Sequence, residues 1–210
     1  MGLAGLTMLR HRSTAAIACG ALALAGLAAS AQLTAAAHTP DTAHGHAVML
    51  LHMHLAREYP SWGHLKGASA LIVLGTASAQ HTETPTGVGD IPWTTTTVQV
   101  ERSLSAAAAA PQTVLIRQAG GVDTNGVPSK SVDFPLLTSG DRYLLFLTPS
   151  PIAGQYYTVG APQGVFRIDP DGLANSFTDE AAQIGVSVHR LPLDRLISAV
   201  QAAPAVSAAP

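Results

Sequence analysis

The chain has 210 residues, which is enough for one domain, or two very small ones, with appendages. Only 11% of the residues are charged and 5% are aromatic, so helices that carry many ion pairs are not expected. The formal net charge is −2 and there is no basic run, which excludes the electrostatic footprint of a nucleic-acid-binding protein.

The first 31 residues have the pattern of a secretory signal peptide. Arg10 and Arg12 form a positive n-region, residues 13–29 form a small apolar core, and Ala29-Ser30-Ala31 offers a cleavage site. A cut at residue 37 is an alternative, and so is a membrane anchor that is retained. We therefore expect an extracytoplasmic protein, secreted or associated with the cell envelope, with no membrane contact after cleavage.

Cys19 is the only cysteine, and it lies inside the apolar core of the signal. A lipoprotein signal places its cysteine after that core, so lipidation is the weaker alternative. The mature chain would then contain no cysteine. A secreted domain without disulfides must be held together by its core alone.

Residues 32–60 form a histidine-rich N-terminal segment. Read as a strand, residues 48–55 place His52 and His54 on the same face; read as a helix, they separate these two side chains. Neutral imidazoles suit copper and zinc, and a cut after Ala37 would add the free amine of His38. The alternatives are a metal site and a loosely ordered polar segment. The candidate ligands are His38, His44, His46, His52 and His54.

The rest of the chain reads as short strands joined by turns. The clearest strand prediction is for Gly140–Thr148. A turn is followed there by an unbroken apolar run, which indicates a strand buried on both faces. Asn125-Gly126 predicts a type I′ hairpin turn, and Asp169–Gly172 predicts another turn. Ser61 is a candidate N-cap for a short helix over residues 62–67. The other predicted strands cover residues 68–77, 93–104, 112–118, 155–160, 164–168 and 173–177.

This strand spacing predicts a mainly β fold, a small and closed or nearly closed antiparallel barrel with a short helix before it and one after. The barrel domain spans residues 61–178. A C-terminal helical segment covers 179–201, with Pro192 near its first turn, and is expected to pack across one barrel opening. Residues 202–210 are expected to be a disordered tail. The predicted core is Leu71, Val73, Val98, Val100, Ile116, Leu145, Leu147 and Phe166.

The order of these strands resembles uncharacterised secreted proteins of actinobacteria and other Gram-positive bacteria. It also resembles the netrin-like module, the OB-type barrel of tissue inhibitors of metalloproteinases. Residues 69–75 occupy the place of the first strand of that module, and Gly140, Tyr143 and Leu144 match its Gly-x-x-Tyr-Leu strand. The resemblance covers about residues 60 to 170 and implies an OB-like barrel. The inhibitory cysteine of that module has no counterpart here, so its inhibitory mechanism is not implied.

No catalytic constellation stands out in the sequence. Asp169-Pro170-Asp171-Gly172 lacks the alternating oxygen ligands of a calcium loop and is better explained as a turn. Asp141 and Arg142 are interpreted as solvated residues at a strand entry. No serine lies in a Gly-x-Ser-x-Gly elbow, and Gln118–Gly121 is not followed by the lysine and helix of a phosphate loop.

Three functional classes remain. The leading hypothesis is a secreted, monomeric, non-enzymatic binding module for an extracellular protein or glycan, without a cofactor. The second is an extracytoplasmic copper- or zinc-binding protein that works through the His38–His54 segment. The third is a hydrolase whose site has not been recognised.

Overall fold

The computed structural model describes residues 48–51, 57–84, 91–105, 111–131, 134–178 and 186–207. The strands are β1 (Met49–Leu51), β2 (Leu71–Glu83), β3 (Trp93–Ser103), β4 (Thr113–Ala119), β5 (Gly121–Val122), β6 (Pro128–Ser131), β7 (Arg142–Pro149), β8 (Gln155–Thr158), β9 (Val165–Ile168), β10 (Leu173–Ser176) and β11 (Leu191–Pro192). The helices are α1 (Trp62–Ala68) and α2 (Leu193–Ala202), and residues Ala161–Gly164 form a 3-10 turn. Neither α-helix has the length and apolar character that crossing a membrane would require.

The predicted central strand is β7, around which the main sheet is built. Every side chain from Tyr143 to Leu147 is buried, which confirms the prediction of a strand buried on both faces. One edge of β7 pairs with β2, from Thr76↔Arg142 to Leu71↔Leu147. The other edge is shared, because β9 pairs with its first half and β8 with its second half.

This sharing of β7 closes the sheet. The order β7-β2-β3-β4-β8 returns to β7, so five strands form a ring, and β9, β10 and β11 extend from its side. The predicted mainly β fold with a ring-like sheet and two helices is therefore confirmed. The ring is mainly antiparallel, as predicted, and its one parallel pair is β4 with β8. A separate small sheet has the order β1-β6-β5, with β1 parallel to β6.

The alternation of β7 gives the molecule two apolar cores. Tyr143, Leu145 and Leu147 point into the ring, where they meet Val73, Val98 and Ile116. Leu144 and Phe146 point outward and pack with Phe166 under α1 and α2. Seven of the eight predicted core residues are buried, and Val100 is only partly buried against the inner core.

The two helices cover the outer face of the sheet, rather than an opening of the barrel. Trp62 of α1 lies 6.1 Å from Phe146 and 5.1 Å from Phe166, measured between ring centroids. From α2, Leu196 and Val200 enter the same cluster. The predicted N-cap is confirmed, because the Ser61 hydroxyl accepts a hydrogen bond from the His64 amide. The C-terminal helix was predicted correctly, but its expected position across a barrel opening was wrong. The apolar stripe of α2 packs against the outward side chains of β7 and β9.

Residues 203–207 differ from the tail predicted to be disordered over residues 202–210, and residues 208–210 lie outside the described residues. The amide of Val206 donates to the carbonyl of Gly63 at 2.9 Å. Lys66 donates to three carbonyls at the end of α2 and just beyond it, including that of Ala203 at 2.9 Å. A Cβ at Gly67 would overlap the backbone of Val206. Residues 203–207 therefore pack against the face of α1 that carries Gly63 and Gly67, which we call the glycine face.

Asn125 and Gly126 lie in the turn of the β5–β6 hairpin, but this turn is not of the predicted type I′. Gly126 has a left-handed φ of 80°, but Asn125 does not have a positive φ, so the turn is not type I′. The carboxylate of Asp123 accepts hydrogen bonds from the amides of Asn125 and Val127 instead. An aspartate that bonds to backbone amides ahead of it stabilises a tight turn without a second left-handed residue.

Candidate functional site

The ring of strands is weakest where β4 meets β8. These two strands pair over only two positions, Leu115↔Gln155 and Ile116↔Tyr156. Beyond them, Arg117–Ala119 and Tyr157–Thr158 line a cleft of about 360 Å³. The cleft therefore follows from the topology, because β4 and β8 close the ring but are hydrogen-bonded along only part of their length.

The walls of this cleft are mostly apolar, and four aromatic side chains from distant parts of the chain contribute to them. Trp93 begins β3 and Tyr157 lies in β8, and their ring centroids are 6.2 Å apart at an angle of 41°. Phe134, Pro135 and Phe177 complete the apolar lining. We refer to the site as the aromatic cleft. Its lining residues are Trp93, Arg117, Gln118, Ala119, Phe134, Pro135, Tyr157, Thr158, Ala161, Pro162 and Phe177.

The side chain of Gln118 fixes one wall of the aromatic cleft. Its amide nitrogen donates to the carbonyl of Pro135 at 3.1 Å, and its amide oxygen accepts from the amide of Leu137 at 3.0 Å. Leu137 is itself buried. Both ends of the Gln118 side chain are therefore occupied in holding the segment that carries Phe134 and Pro135.

Another part of the lining comes from a turn in which Ala161 has a strained backbone. Gly160 has φ 60°, and Ala161 follows with φ 48°, a left-handed conformation that is uncommon for a residue with a side chain. These two residues begin the 3-10 turn that presents Pro162 to the cleft. Strain of this kind costs free energy and is concentrated at binding sites in many proteins.

One cation lies in the aromatic cleft. The guanidinium of Arg117 is 4.6 Å from the ring centroid of Trp93 and donates to the carboxylate of Glu83 at 2.8 Å. The side chain of Arg117 is only 9% exposed, whereas that of Glu83 is 50% exposed. Stacking on an indole ring and pairing with a carboxylate together stabilise a buried guanidinium.

A smaller polar groove of about 240 Å³ adjoins the Arg117–Glu83 pair on the outer face of β2, β3 and β4. His81, Glu83 and Gln155 line it, together with Thr95 and Thr97. The side-chain oxygen of Gln155 is buried and has no hydrogen-bond partner among the described residues. The groove therefore offers an unused acceptor, next to a cleft that is predominantly apolar.

Two side chains that lie away from the junction of β4 and β8 have shifted pKa values. Burial raises the pKa of the Tyr143 hydroxyl, and the nearby carboxylate of Asp141 adds to the shift, although the hydrogen bond from the Thr138 amide opposes it. Burial would also raise the pKa of Glu101, but hydrogen bonds from Arg142 and Thr76 and the charge of Arg142 prevail and lower it. Neither residue lines the aromatic cleft, so these shifts belong to the framework of the fold.

The predicted metal ligands cannot be placed on this structure. His38, His44, His46, His52 and His54 all lie outside the described residues. Within the described ranges, no group of three or more histidine, cysteine, aspartate or glutamate side chains is arranged to hold a metal ion. The metal hypothesis for the His38–His54 segment stays a prediction.

The other residues weighed in the sequence have structural roles. Arg142 binds the carboxylate of Glu101 through two nitrogens, and Asp169 accepts a hydrogen bond from Asn175 at 2.9 Å. Ser61 and Nδ1 of His64 are 2.8 Å apart, which is a serine–histidine contact that the sequence analysis did not foresee. That contact lies at the first turn of α1, where the same hydroxyl caps the helix, so it is accounted for by capping.

Comparison with known proteins found no matching family model and no matching curated protein. The aromatic cleft was not predicted from the sequence. A signal was available, since four of the chain's ten aromatic residues converge there: Trp93, Phe134, Tyr157 and Phe177. Their positions in the sequence are far apart, and only the closing of the ring brings them together.

Proposed function

We propose that this chain is a non-enzymatic binding module, exported from the cytoplasm, that receives an apolar group of a protein partner in the aromatic cleft. The observation that carries the proposal is the convergence of Trp93, Tyr157, Phe134 and Phe177 on one open cleft. Aromatic side chains contribute large contact areas at low entropic cost, and tryptophan, tyrosine and arginine dominate the energetics of protein interfaces. A preformed apolar cleft with few polar groups is the usual form of a binding site.

The polarity of the aromatic cleft favours a protein partner over a glycan. A sugar ring presents several hydroxyl groups, each of which needs a hydrogen-bond partner when it leaves water. Gln118 holds the Pro135–Leu137 segment with both ends of its side chain, so the polar groups left for a sugar are the guanidinium of Arg117 and the hydroxyls of Tyr157 and Thr158. An apolar side chain of a protein makes no such demand and gains free energy from burial alone.

A peptide display library selected on the purified protein tests this function. Peptides that are enriched on the wild-type protein should bind Trp93→Ala about tenfold more weakly or worse, because Trp93 forms one wall of the cleft. Ile152→Ala is the matched control, since Ile152 is an exposed apolar residue that does not line the cleft. Enriched peptides that bind all three proteins equally would exclude the cleft as the binding site. A glycan array with the same variants examines the alternative partner.

The second candidate function is binding of copper or zinc by the histidine-rich segment. It is favoured by five histidines within residues 38–54, and neutral imidazoles are the ligands that these metals accept. Calorimetry with Cu²⁺ and Zn²⁺ should compare the chain that begins at His38 with one that begins at residue 57. Loss of a single tight site on truncation would support this function, whereas equal and weak binding by both forms would exclude it. Affinity should fall as the pH drops through about 6.5, where free imidazole becomes protonated.

A further inference from the structure

The one charged group that lines the aromatic cleft, the guanidinium of Arg117, is a donor only. A guanidinium carries five N–H donors and no acceptor, and Arg117 donates one hydrogen bond to Glu83. The oxygen of Gln118 and the carbonyl of Pro135 each already accept one hydrogen bond. The hydroxyls of Tyr157 and Thr158 can donate or accept. A well-matched occupant therefore presents an acceptor to Arg117 and apolar surface to the aromatic rings.

A proline-bearing peptide in the polyproline II conformation meets this requirement. Proline has no backbone N–H, and the carbonyls of a polyproline II segment are not used within the segment. The donors that an ordinary peptide or a sugar would bring into the cleft are thus absent. Such a segment is also extended before it binds, so little conformational entropy is lost on binding.

The shape of the aromatic cleft agrees with the same occupant. The Trp93 and Tyr157 rings are 6.2 Å apart and inclined at 41°, so they pack against each other and together present an aromatic surface to the cleft. A pyrrolidine ring is compact and apolar, and aromatic-lined grooves are a recurrent means of binding polyproline II segments. Pro135 and Pro162 add apolar walls on either side without adding donors or acceptors from side chains.

We propose that the aromatic cleft binds a proline-bearing, extended segment of a partner protein, with a backbone carbonyl of that segment accepting a hydrogen bond from Arg117. The inference rests on the proposed function and specifies its partner. It names the neutral carbonyl as the acceptor because the charge of Arg117 is already balanced by Glu83 at 2.8 Å. A ligand carboxylate at the same place would lie close to a second negative charge.

Two-dimensional NMR with an acetylated and amidated oligoproline tests the proposal. The peptide should shift the signals of the Trp93 indole, Arg117 and Tyr157, and leave the signals of α1 and α2 in place. A glycine-serine peptide of equal length and a chito-oligosaccharide serve as comparison ligands, and we expect neither to shift the cleft signals. Binding should weaken about tenfold in Trp93→Ala and remain unchanged in Ile152→Ala.

Arg117 is tested with two variants, because the loss of its charge could disturb the fold. Arg117→Met retains an unbranched stem of similar length and removes the donors, so oligoproline binding should weaken about tenfold. Arg117→Lys retains the charge and a donor but loses the planar fork, and we expect an intermediate affinity. Equal affinity in both variants and the wild-type protein would overturn the role of Arg117.

The proline inference and the binding function fail in different ways. If oligoproline does not bind while proline-free peptides bind and depend on Trp93, the inference is wrong and the proposed function stands. If the chito-oligosaccharide shifts the cleft signals instead, the inference is likewise wrong. If no selected peptide depends on Trp93, both are wrong.

Discussion

The molecule contains two clusters of aromatic side chains, one covered by helices and one that lines an open cleft. Trp62, Phe146 and Phe166 pack together on the outer face of the sheet, where α1 and α2 cover them. Trp93 and Tyr157 stand at the seam between β4 and β8, and no helix of the described structure covers them. Each cluster contains a tryptophan that packs against another aromatic ring, so the difference between the buried core and the open cleft is whether helices cover it.

The covered cluster should be essential for stability, and Phe146→Ala is its most severe test. Phe146 is fully buried and contacts both Trp62 and Phe166. Removal of a buried phenylalanine ring costs about 3–5 kcal/mol, a large part of the total stability of ~5–15 kcal/mol of a typical domain. Urea denaturation would measure the loss. A change below about 1 kcal/mol would show that the helices do not depend on this cluster.

The inner core can be separated from the covered cluster with a substitution one position away on the same strand. Leu145 is fully buried and points into the ring. Leu145→Ala should cost about 2–5 kcal/mol, and the near-UV signal of Trp62 should be retained until the protein unfolds. Early loss of the Trp62 signal in this variant would mean that the two cores are not independent. The melting temperature, measured by circular dichroism, should fall by several degrees.

The helices that cover the outer cluster can be perturbed by a substitution on the glycine face of α1. Gly67→Ala places a methyl group where the backbone of Val206 lies, so the segment 203–207 must move. In the full chain we expect a net loss of about 1 kcal/mol, because overpacking outweighs the better helix propensity of alanine.

The control for this prediction is the same substitution in a chain that ends at Ala203. There the methyl group meets no tail, so Gly67→Ala should stabilise the protein by as much as ~1 kcal/mol. Hydrogen exchange at the Val206 amide, which donates to Gly63, would report the displacement directly in the full chain. Equal effects in both chains would contradict a tail that rests on α1.

The open cluster should behave in the opposite way to the covered one. Trp93 is only partly buried, so Trp93→Ala should cost about 1 kcal/mol, mainly from lost contact with Arg117. Peptide binding at the cleft should nevertheless weaken about tenfold or more. Thermal unfolding and a peptide titration on the same sample provide both values. A destabilisation as large as that of Phe146→Ala would mean that the cleft is a part of the core.

The smallest expected effect is electrostatic and depends on pH. The pKa of Glu101 is lowered in the folded protein, so its carboxylate contributes stability above its unfolded pKa of about 4.3. This contribution is lost as the pH falls through the lower folded value. Glu101 is partly exposed, so solvent screening limits the gain, and Glu101→Gln should cost a few tenths of a kcal/mol at pH 7. Denaturation at pH 7 and again at pH 3 should show the difference shrinking in acid, whereas a constant difference would contradict the pairing with Arg142.

The local part of this fold was readable from the sequence. The apolar run 143–147 has no polar position, so burial on both faces followed directly, and β3 was found from the alternation of residues 94–101. The cap at Ser61 and the stripe of α2 also followed from residue type and spacing. Element ends were less certain, as β2 continues to Glu83, well beyond the predicted residue 77, because Gln80 and Thr82 find polar partners on β3.

The sequence by itself determined a mainly β framework, its central strand and most of its core, because burial and alternation are properties of neighbouring residues. Only the tertiary structure decided where the candidate site lies. Trp93, Arg117 and Tyr157 belong to three strands, and they meet because β8 pairs with both β4 and β7 and closes the ring over two residue pairs. Likewise, the same kinds of aromatic residue became a covered cluster at Trp62 and an open cleft at Trp93. That outcome depends on which face of the sheet the helices occupy, and no local pattern in the chain encodes it.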